Sequence, residues 1–390
     1  MGIMDIFKSE KRSVKSSDPY LGEYFGVRDS ITKQSVTAKT AVQVATVQAC
    51  MHLISETLAS VPLGVFERTD NGGRNKAVSH PLYDILHNNP NPDQDAYEFR
   101  EFLATSVMLH GHGLAWIESD DNGRIVALWP LQWEHVTVKK LGGGISRYEY
   151  RSPEEETRIL LQSDVLHVKY KSQGQSLISN GKEVIGLALA IQEFMGTSLA
   201  NGARLGGIFQ TDQLLSHDSM NKIRRAFIKH HTGTANARRA LFLDSGLKYQ
   251  PTSQNNQEME FIALARLVNL DICRLFRVPP PAVGILDDAT YSNITEQSRI
   301  LVQNCIRPWT VRFEQAMNRA LLSERDRKTF FIEHSLDGLL RGNLKDRYEA
   351  YKTGKEGGWL SVNDIRQREN MSIIAGGDEY QTDKKGVDNG

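Results

Sequence analysis

From Thr40 onward, apolar residues recur at three- and four-residue steps: Val44, Val47, Met51, Ile54 and Leu58 fall on one face of a predicted helix. Val61-Pro62 ends it, because proline lacks an amide donor and disfavours helical geometry in the residue before it. Leu63 to Glu67 predicts a strand with a turn at Asp70-Asn71-Gly72-Gly73. His80-Pro81 opens a short helix that Asn88-Asn89-Pro90-Asn91-Pro92 breaks, and another helix is predicted from about Asp95 to Leu109. A strand-rich block follows: Leu114 to Glu118, Ile125 to Leu128, Val136 to Lys139, Arg147 to Arg151 and Val165 to Lys169. Turn clusters at Asp120-Asp121-Asn122-Gly123 and Gly142-Gly143-Gly144 separate them. Helices followed by antiparallel strands make the first half α+β.

The second half changes period. Helical patterns run over roughly 182–204, 216–231, 257–277 and 293–322, the last with a break or kink expected at Pro308. Ile306, Trp309, Phe313, Ala316, Met317, Ala320 and Leu321 give that last helix one apolar face, and Asn293 with Glu296 suggests a capping box at its start. Between the second and third helices lies a short β-like insert, Ala240 to Asp244 and Leu247 to Gln250. A further helix after Gly342 should end near Gly357-Gly358, with a small element at Trp359 to Asn370. Residues 8–35 read as a mobile basic arm and Asp378 to Gly390 as a polar, disordered tail.

Between the 257–277 and 293–322 patterns stands Arg277-Val278-Pro279-Pro280-Pro281-Ala282-Val283-Gly284-Ile285-Leu286, followed by Ala289-Thr290-Tyr291-Ser292-Asn293. Consecutive prolines stop both helices, and the connection is long for a helix–helix join. It reads either as a loop with a function or as a buried Pro-rich crossover.

Composition narrows the classes. The chain has 390 residues, 40% hydrophobic and 24% charged, which suits a folded protein with a substantial core. Lys+Arg and Asp+Glu are 47 each, so the surplus of positive charge expected of a tight nucleic-acid binder is missing. Cys50, Cys273 and Cys305 have no C-x-x-C partner and suggest three buried thiols in a reducing compartment. The amino terminus is no signal peptide, and Val184 to Leu199 is too interrupted by polar residues to cross a bilayer, so no membrane association is expected.

Catalytic signatures are absent. Gly174 to Lys182 lacks the spacing of a phosphate loop, and there is no G-x-S-x-G or H-E-x-x-H. His110-Gly111-His112 reads either as a Gly-rich turn or as a strand pair of metal-binding imidazoles. His230-His231 suits the cation preference of a helix C-terminus. Neither catalytic residues nor a bound metal or cofactor is therefore expected. Basic residues are more informative: on helices, Lys222, Arg225 and Lys229 share an arc of about 60°, and Arg266, Asn269, Arg274 and Arg277 one of about 140°. Each stripe is either a solvated face or a functional one. The remaining apolar circumference of the 257–277 helix demands packing on several sides, part of it available to a neighbouring subunit. Arg238-Arg239 is an exposed basic pair with no role readable from pattern alone.

Taken in order, several segments resemble the portal proteins of tailed bacteriophages, the siphovirus-type head–tail connectors. They are Ala49 to Leu63, His80-Pro81-Leu82-Tyr83, Asn89-Pro90-Asn91-Pro92, Leu109 to Gly113, Leu128-Trp129-Pro130-Leu131, Asn201-Gly202-Ala203, Phe276 to Pro280, Tyr291 to Gln297, Pro308 and Gly358 to Arg366. A third proline at Pro281 and His112 in place of an amide residue depart from the pattern.

The resemblance implies an α+β portal fold assembled as a dodecameric ring at one capsid vertex, present in host cytoplasm during assembly. It implies a flexible arm at 1–34, a wing at 35–215, stem helices at 216–232 and 257–277, and a clip at 233–256. A tunnel loop at 278–293, a long wing helix and following strand at 294–341, a crown at 342–375 and a disordered tail at 376–390 complete it. The implied partners are copies of itself, double-stranded DNA, the terminase large subunit, the major capsid protein or scaffold, and a head-completion adaptor. Pro279, Ile285, Asp287, Asp288 and Tyr291 would face the channel. Lys222, Arg225, Lys229, Arg266, Arg274 and Arg277 would form a basic stem face, and Arg238 and Arg239 a docking surface. The alternatives are a metal-dependent nucleic-acid-processing enzyme using His110 and His112, and a monomeric structural adaptor.

Overall fold

The computed structural model describes residues 28–70, 72–141, 145–152, 157–171, 174–200, 207–211, 216–231, 248–251, 255–286, 291–340, 344–369 and 371–380. A small hairpin, β1 (Arg28–Asp29) and β2 (Ser35–Val36), begins this part. Residues 28–34, expected within a flexible arm, are thus folded. The Ile31 amide donates to Glu183 at 2.8 Å and the Gln34 side chain to Glu193 at 2.6 Å, which ties the hairpin to the helix carrying both carboxylates.

Helix α1 (Ala45–Ser60) buries Val47, Cys50, Met51, Ile54 and Leu58, the face its periodicity predicts. Strands β3 (Leu63–Arg68) and β4 (Arg74–Lys76) follow, then α2 (Pro81–His87), with proline in the first turn, and α3 (Ala96–His110). Asp95 caps α3, accepting from the Glu98 amide at 2.8 Å. A buried cation locks these three helices together. Arg100 of α3 donates twice to the Ala59 carbonyl, at 3.1 and 2.6 Å, and once to the Leu86 carbonyl at 3.2 Å. It thereby satisfies terminal carbonyls of both α1 and α2. Burial lowers the Arg100 pKa to about 10, so it stays charged near neutrality.

Beyond α3 come β5 (His112–Ser119), β6 (Ile125–Leu131), β7 (Val136–Lys140), β8 (Ser146–Tyr150), β9 (Arg158–Leu161) and β10 (Val165–Lys169). They form two antiparallel three-stranded sheets, ordered β10-β5-β6 and β7-β8-β9. The sequence pattern misses β9, because Ile159 (60% exposed) and Leu161 (58%) point outward while only Leu160 is buried.

The second half contains α4 (Lys182–Ala200), β11 (Gly207–Gln210), α5 (His217–His231), β12 (Lys248–Pro251), α6 (Asn255–Phe276) and α7 (Tyr291–Ile300). After these come α8 (Arg307–Leu321), β13 (Phe330–His334), α9 (Leu344–Glu356) and α10 (Val362–Arg368). β11 pairs antiparallel with β12, joining a strand expected in the wing to one expected in the clip. β13 pairs with β3, Phe330 opposite Glu67, so distant parts of the chain share the sheet ordered β13-β3-β4. One large core runs from α1 and α3 through α6 to Trp309, Phe313 and Met317 of α8.

One local expectation is corrected and one is refined. Asn293 lies inside α7, so it does not cap a helix beginning there. The break or kink expected at Pro308 takes a specific form. A π-helical turn, Leu301–Ile306, precedes it, the Arg307 amide donating to the Val302 carbonyl, and Pro308 then occupies the first turn of α8. The wider turn relieves the clash of the proline ring with the preceding carbonyl. Among the described residues no helix is long and apolar enough to cross a membrane.

Candidate channel region

The Pro-rich connection begins where α6 stops. Phe276 is its last helical residue, and Arg277 adopts φ 59°, the left-handed conformation usually given to glycine. The Val278 amide donates to the Cys273 carbonyl at 2.9 Å and the Arg277 amide to the Arg274 carbonyl at 3.1 Å. This pair of bonds is a Schellman cap, with buried Val278 against buried Cys273 as its apolar contact. Arg277 is consequently not a member of the helical stripe predicted for it.

Pro280–Val283 forms a single 3-10 turn, closed by Gly284 at φ 84°. The prolines set φ for that turn, and Gly284 supplies the left-handed exit without steric cost. Only Val278 of this stretch is fully buried, so its described part runs over the surface and is no buried crossover. Ile285, expected to face a channel, is half-buried against the main core, and Leu286 is exposed at 62%. Asp287 and Asp288 lie outside the described residues, and Tyr291 is the first residue of α7. Pro279, Arg274 and Arg277 line an open cleft of about 720 Å³ between the end of α6 and the α7–π segment.

The basic stripes are partly compensated within the chain. Lys222 pairs with Asp218 at 3.1 Å, one turn earlier on α5, and Arg274 pairs with Asp271 on α6. Arg225 and Arg266 are exposed; Lys229 falls one turn beyond Arg225. Arg238 and Arg239 lie outside the described residues. The apolar circumference of α6 is only partly covered. Val268, Ile272, Cys273 and Phe276 are buried, whereas Ile262 (58%) and Leu267 (49%) remain exposed, as do Phe194 and Met195 in the last part of α4. α4 and α6 meet there through stacked Phe194 and Phe261 rings, 4.6 Å apart.

His110 and His112 do not lie on one strand. His110 ends α3, Gly111 makes the left-handed cap at φ 83°, and His112 starts β5. His112 Nδ1 lies 2.8 Å from His167 Nε2, and His167 Nδ1 lies 2.8 Å from the Tyr148 hydroxyl. Trp133 stacks on His112 at 3.9 Å. Burial, then the positive charge of Lys169, lowers both imidazole pKa values, His112 to about 4, so both rings are neutral at ordinary pH. The chain His112–His167–Tyr148 is a satisfied polar inclusion between sheets. His167 and Tyr148 carry no local signal that would reveal it in the sequence. Among the described residues, His52, Glu56 and Glu101 have metal-ligand spacing, but His52 and Glu56 are exposed and form a helical ion pair at 3.3 Å.

All three cysteines are buried and free. Cys50 and Cys273 couple by a hydrogen bond that, with burial, raises the Cys50 pKa. The Cys305 thiol donates to the Phe276 carbonyl at 3.4 Å, and burial pushes its pKa up to about 12. The Cys50–Cys273 bond lowers the Cys273 pKa; Cys50 and Cys273 pack at the α1–α6 contact, and Cys305 in the π turn against the end of α6.

Known proteins share this architecture. The portal protein of Enterobacteria phage HK97 is 30% identical over 352 residues, 88% of this chain and 82% of its own. A chain from the neck of an empty GTA particle has a TM-score of 0.63 at 22% identity, covering 90% of this chain and 95% of its own. A HK97-family phage portal protein from Corynebacterium diphtheriae has a TM-score of 0.61 at 14% identity, covering 79% of this chain and 98% of its own. The family model for the phage portal protein matches residues 45–370, spanning α1, the Pro-rich connection and α10 without interruption. On that match, and on the fold that carries it, the chain belongs to the phage portal protein family.

Proposed function

We propose that this portal protein closes into a ring at one capsid vertex, twelve copies being the expected number, and that double-stranded DNA passes through it in packaging and ejection. The observation that carries the reading is α6. Ile262 and Leu267 stay exposed on a helix that buries Val268, Ile272, Cys273 and Phe276, and membership of the portal family supports reading that helix as part of a subunit interface. A neighbouring copy is the natural cover for them. α5 and α6 are the stem of this reading, residues 278–293 the tunnel loop, 35–215 and 294–341 the wing, 342–375 the crown.

Pairing of Lys222 with Asp218 and of Arg274 with Asp271 supports a passage that does not grip DNA. Affinity for DNA grows with the number of phosphates neutralised, and a conduit must keep that number small. The 233–256 segment, with Arg238 and Arg239, would dock the terminase large subunit and later the head-completion adaptor. The wing would meet the major capsid protein or scaffold. The role is structural, the motor's chemistry residing in another chain.

Electron microscopy and mass measurement of the purified protein and of assembled particles test the ring; finding only monomers in both refutes it. Deleting four residues, 286–289, should then leave folding and ring assembly intact while disturbing DNA packaging or retention. A ring-forming deletion that packages and retains DNA like the parent removes the loop from the mechanism.

A further inference from the structure

A second basic feature involves β10 and α8. Between β10 and α8 opens a cleft of about 460 Å³, lined by His167, Lys169, Arg312, Gln315, Arg319 and Arg327, with no carboxylate among its lining residues. Nearby acidic groups are engaged elsewhere: Glu314 holds His334 at 2.9 Å, Glu149 holds Lys139 at 2.8 Å, and Asp326 accepts from Ser323 at 2.7 Å. Two of the four cations are fixed by the fold. The Arg312 guanidinium lies over Trp309 and Tyr170, 4.6 and 5.0 Å from their ring centres, and Arg327 donates to the Leu322 carbonyl at 3.1 Å. Lys169 and Arg319 are exposed at the mouth. Burial, then the positive charges of Arg319 and Lys140, lower the Lys169 pKa, in keeping with the like charges gathered in the cleft.

Such an arrangement is costly for a lone chain and is relieved by an anion. His167 cannot supply the contact, since both its nitrogens are committed to His112 and Tyr148. We infer that this wing cleft is a phosphate-binding site that takes successive backbone phosphates of duplex DNA lying outside the channel. A duplex is favoured over a free phosphate because the cleft is open, and because Lys140, which lines no part of it, extends the positive field toward β7. One enclosed phosphate would need fewer cations, whereas a duplex presents a charge about every 1.7 Å of its axis. The inference rests on the portal reading only in that DNA is the polyanion at hand; the cleft itself lies within one chain.

The test uses the full-length protein and a covalently closed circular plasmid, which cannot thread an assembled ring. Plasmid affinity is measured against salt concentration for the parent and for Lys169→Gln/Arg319→Gln, with Lys169→Arg/Arg319→Lys as the charge-keeping control. The neutral double variant should give a slope of log K against log salt shallower by about 1.8, about 0.9 for each phosphate no longer neutralised. The control should match the parent. A parental slope in the neutral variant overturns the proposal. So does protection of the parent by millimolar inorganic phosphate with unchanged plasmid binding, which would make free phosphate the ligand. Because monomers carry the whole cleft, failure of ring assembly would refute the portal geometry and still leave this measurement readable.

Discussion

Arg277 offers a direct measure of how far the Pro-rich connection is built for use rather than for stability. At φ 59° it sits where a side chain costs about 1–2 kcal/mol relative to glycine, yet its cap bonds of 3.1 and 2.9 Å are intact. Arg277→Gly removes that cost while adding unfolded-state freedom worth about 0.4–1 kcal/mol against it. The net expectation is a gain of about 0.5–1 kcal/mol. Arg277→Ala keeps the strain and removes the same charge, so it should gain nothing. Urea unfolding of the two variants beside the parent, compared by midpoint at constant slope, reads the difference. Amide exchange at Val278 should slow in the glycine variant alone. Both variants should impair packaging alike, because both lose the cation beside Pro279. If glycine is no more stable than alanine at this site, the backbone is not strained and its retention needs no functional explanation.

Two other expectations concern the wing. Gly111→Ala should destabilise by about 2–4 kcal/mol, because φ 83° disfavours a side chain and the new Cβ would lie 2.6 Å from the Gly174 carbonyl oxygen; a urea midpoint within error of the parent refutes this. Folding keeps His112 and His167 neutral while the unfolded chain protonates near pH 6.5. Stability should therefore be fully present above about pH 6.5 and fall as pH drops toward about 4, by up to about 1.4 kcal/mol per pH unit for each ring, and a profile flat to pH 5 would exclude the neutral chain.

What the sequence reveals depends on whether the signal is local. The buried face of α1, the extent of α3 from Asp95 to Gly111 and the end of α6 at the prolines follow from periodicity and backbone chemistry. Val165–Lys169 reads correctly because Val165, Leu166 and Val168 give it a β-rich apolar pattern that is buried. β9 does not, since its burial opposes its hydrophobicity. Nor does the wing cleft: Lys169 is far along the chain from Arg312, Arg319 and Arg327 and joins them only because β10 packs against α8. Ile285 illustrates a different limit, that which side of a short irregular turn faces inward is decided by the turn itself. The Pro308 distortion is legible as a position but not as a π turn, because proline specifies that a normal helical bond is missing and not how the backbone adapts.

The two-stranded pairing of β11 with β12 places Gln210 opposite Lys248. Everything between these residues, α5 included, therefore leaves and re-enters the molecule at one hydrogen-bonded gate. Because the cost of closing such an excursion rises only slowly with its length, the gate tolerates excursions of very different size. By this pairing, a relative could carry a longer, shorter or differently charged excursion on the same two strands. Adaptation to a new docking partner would then leave the wing, the cap at Arg277 and the core of α8 untouched.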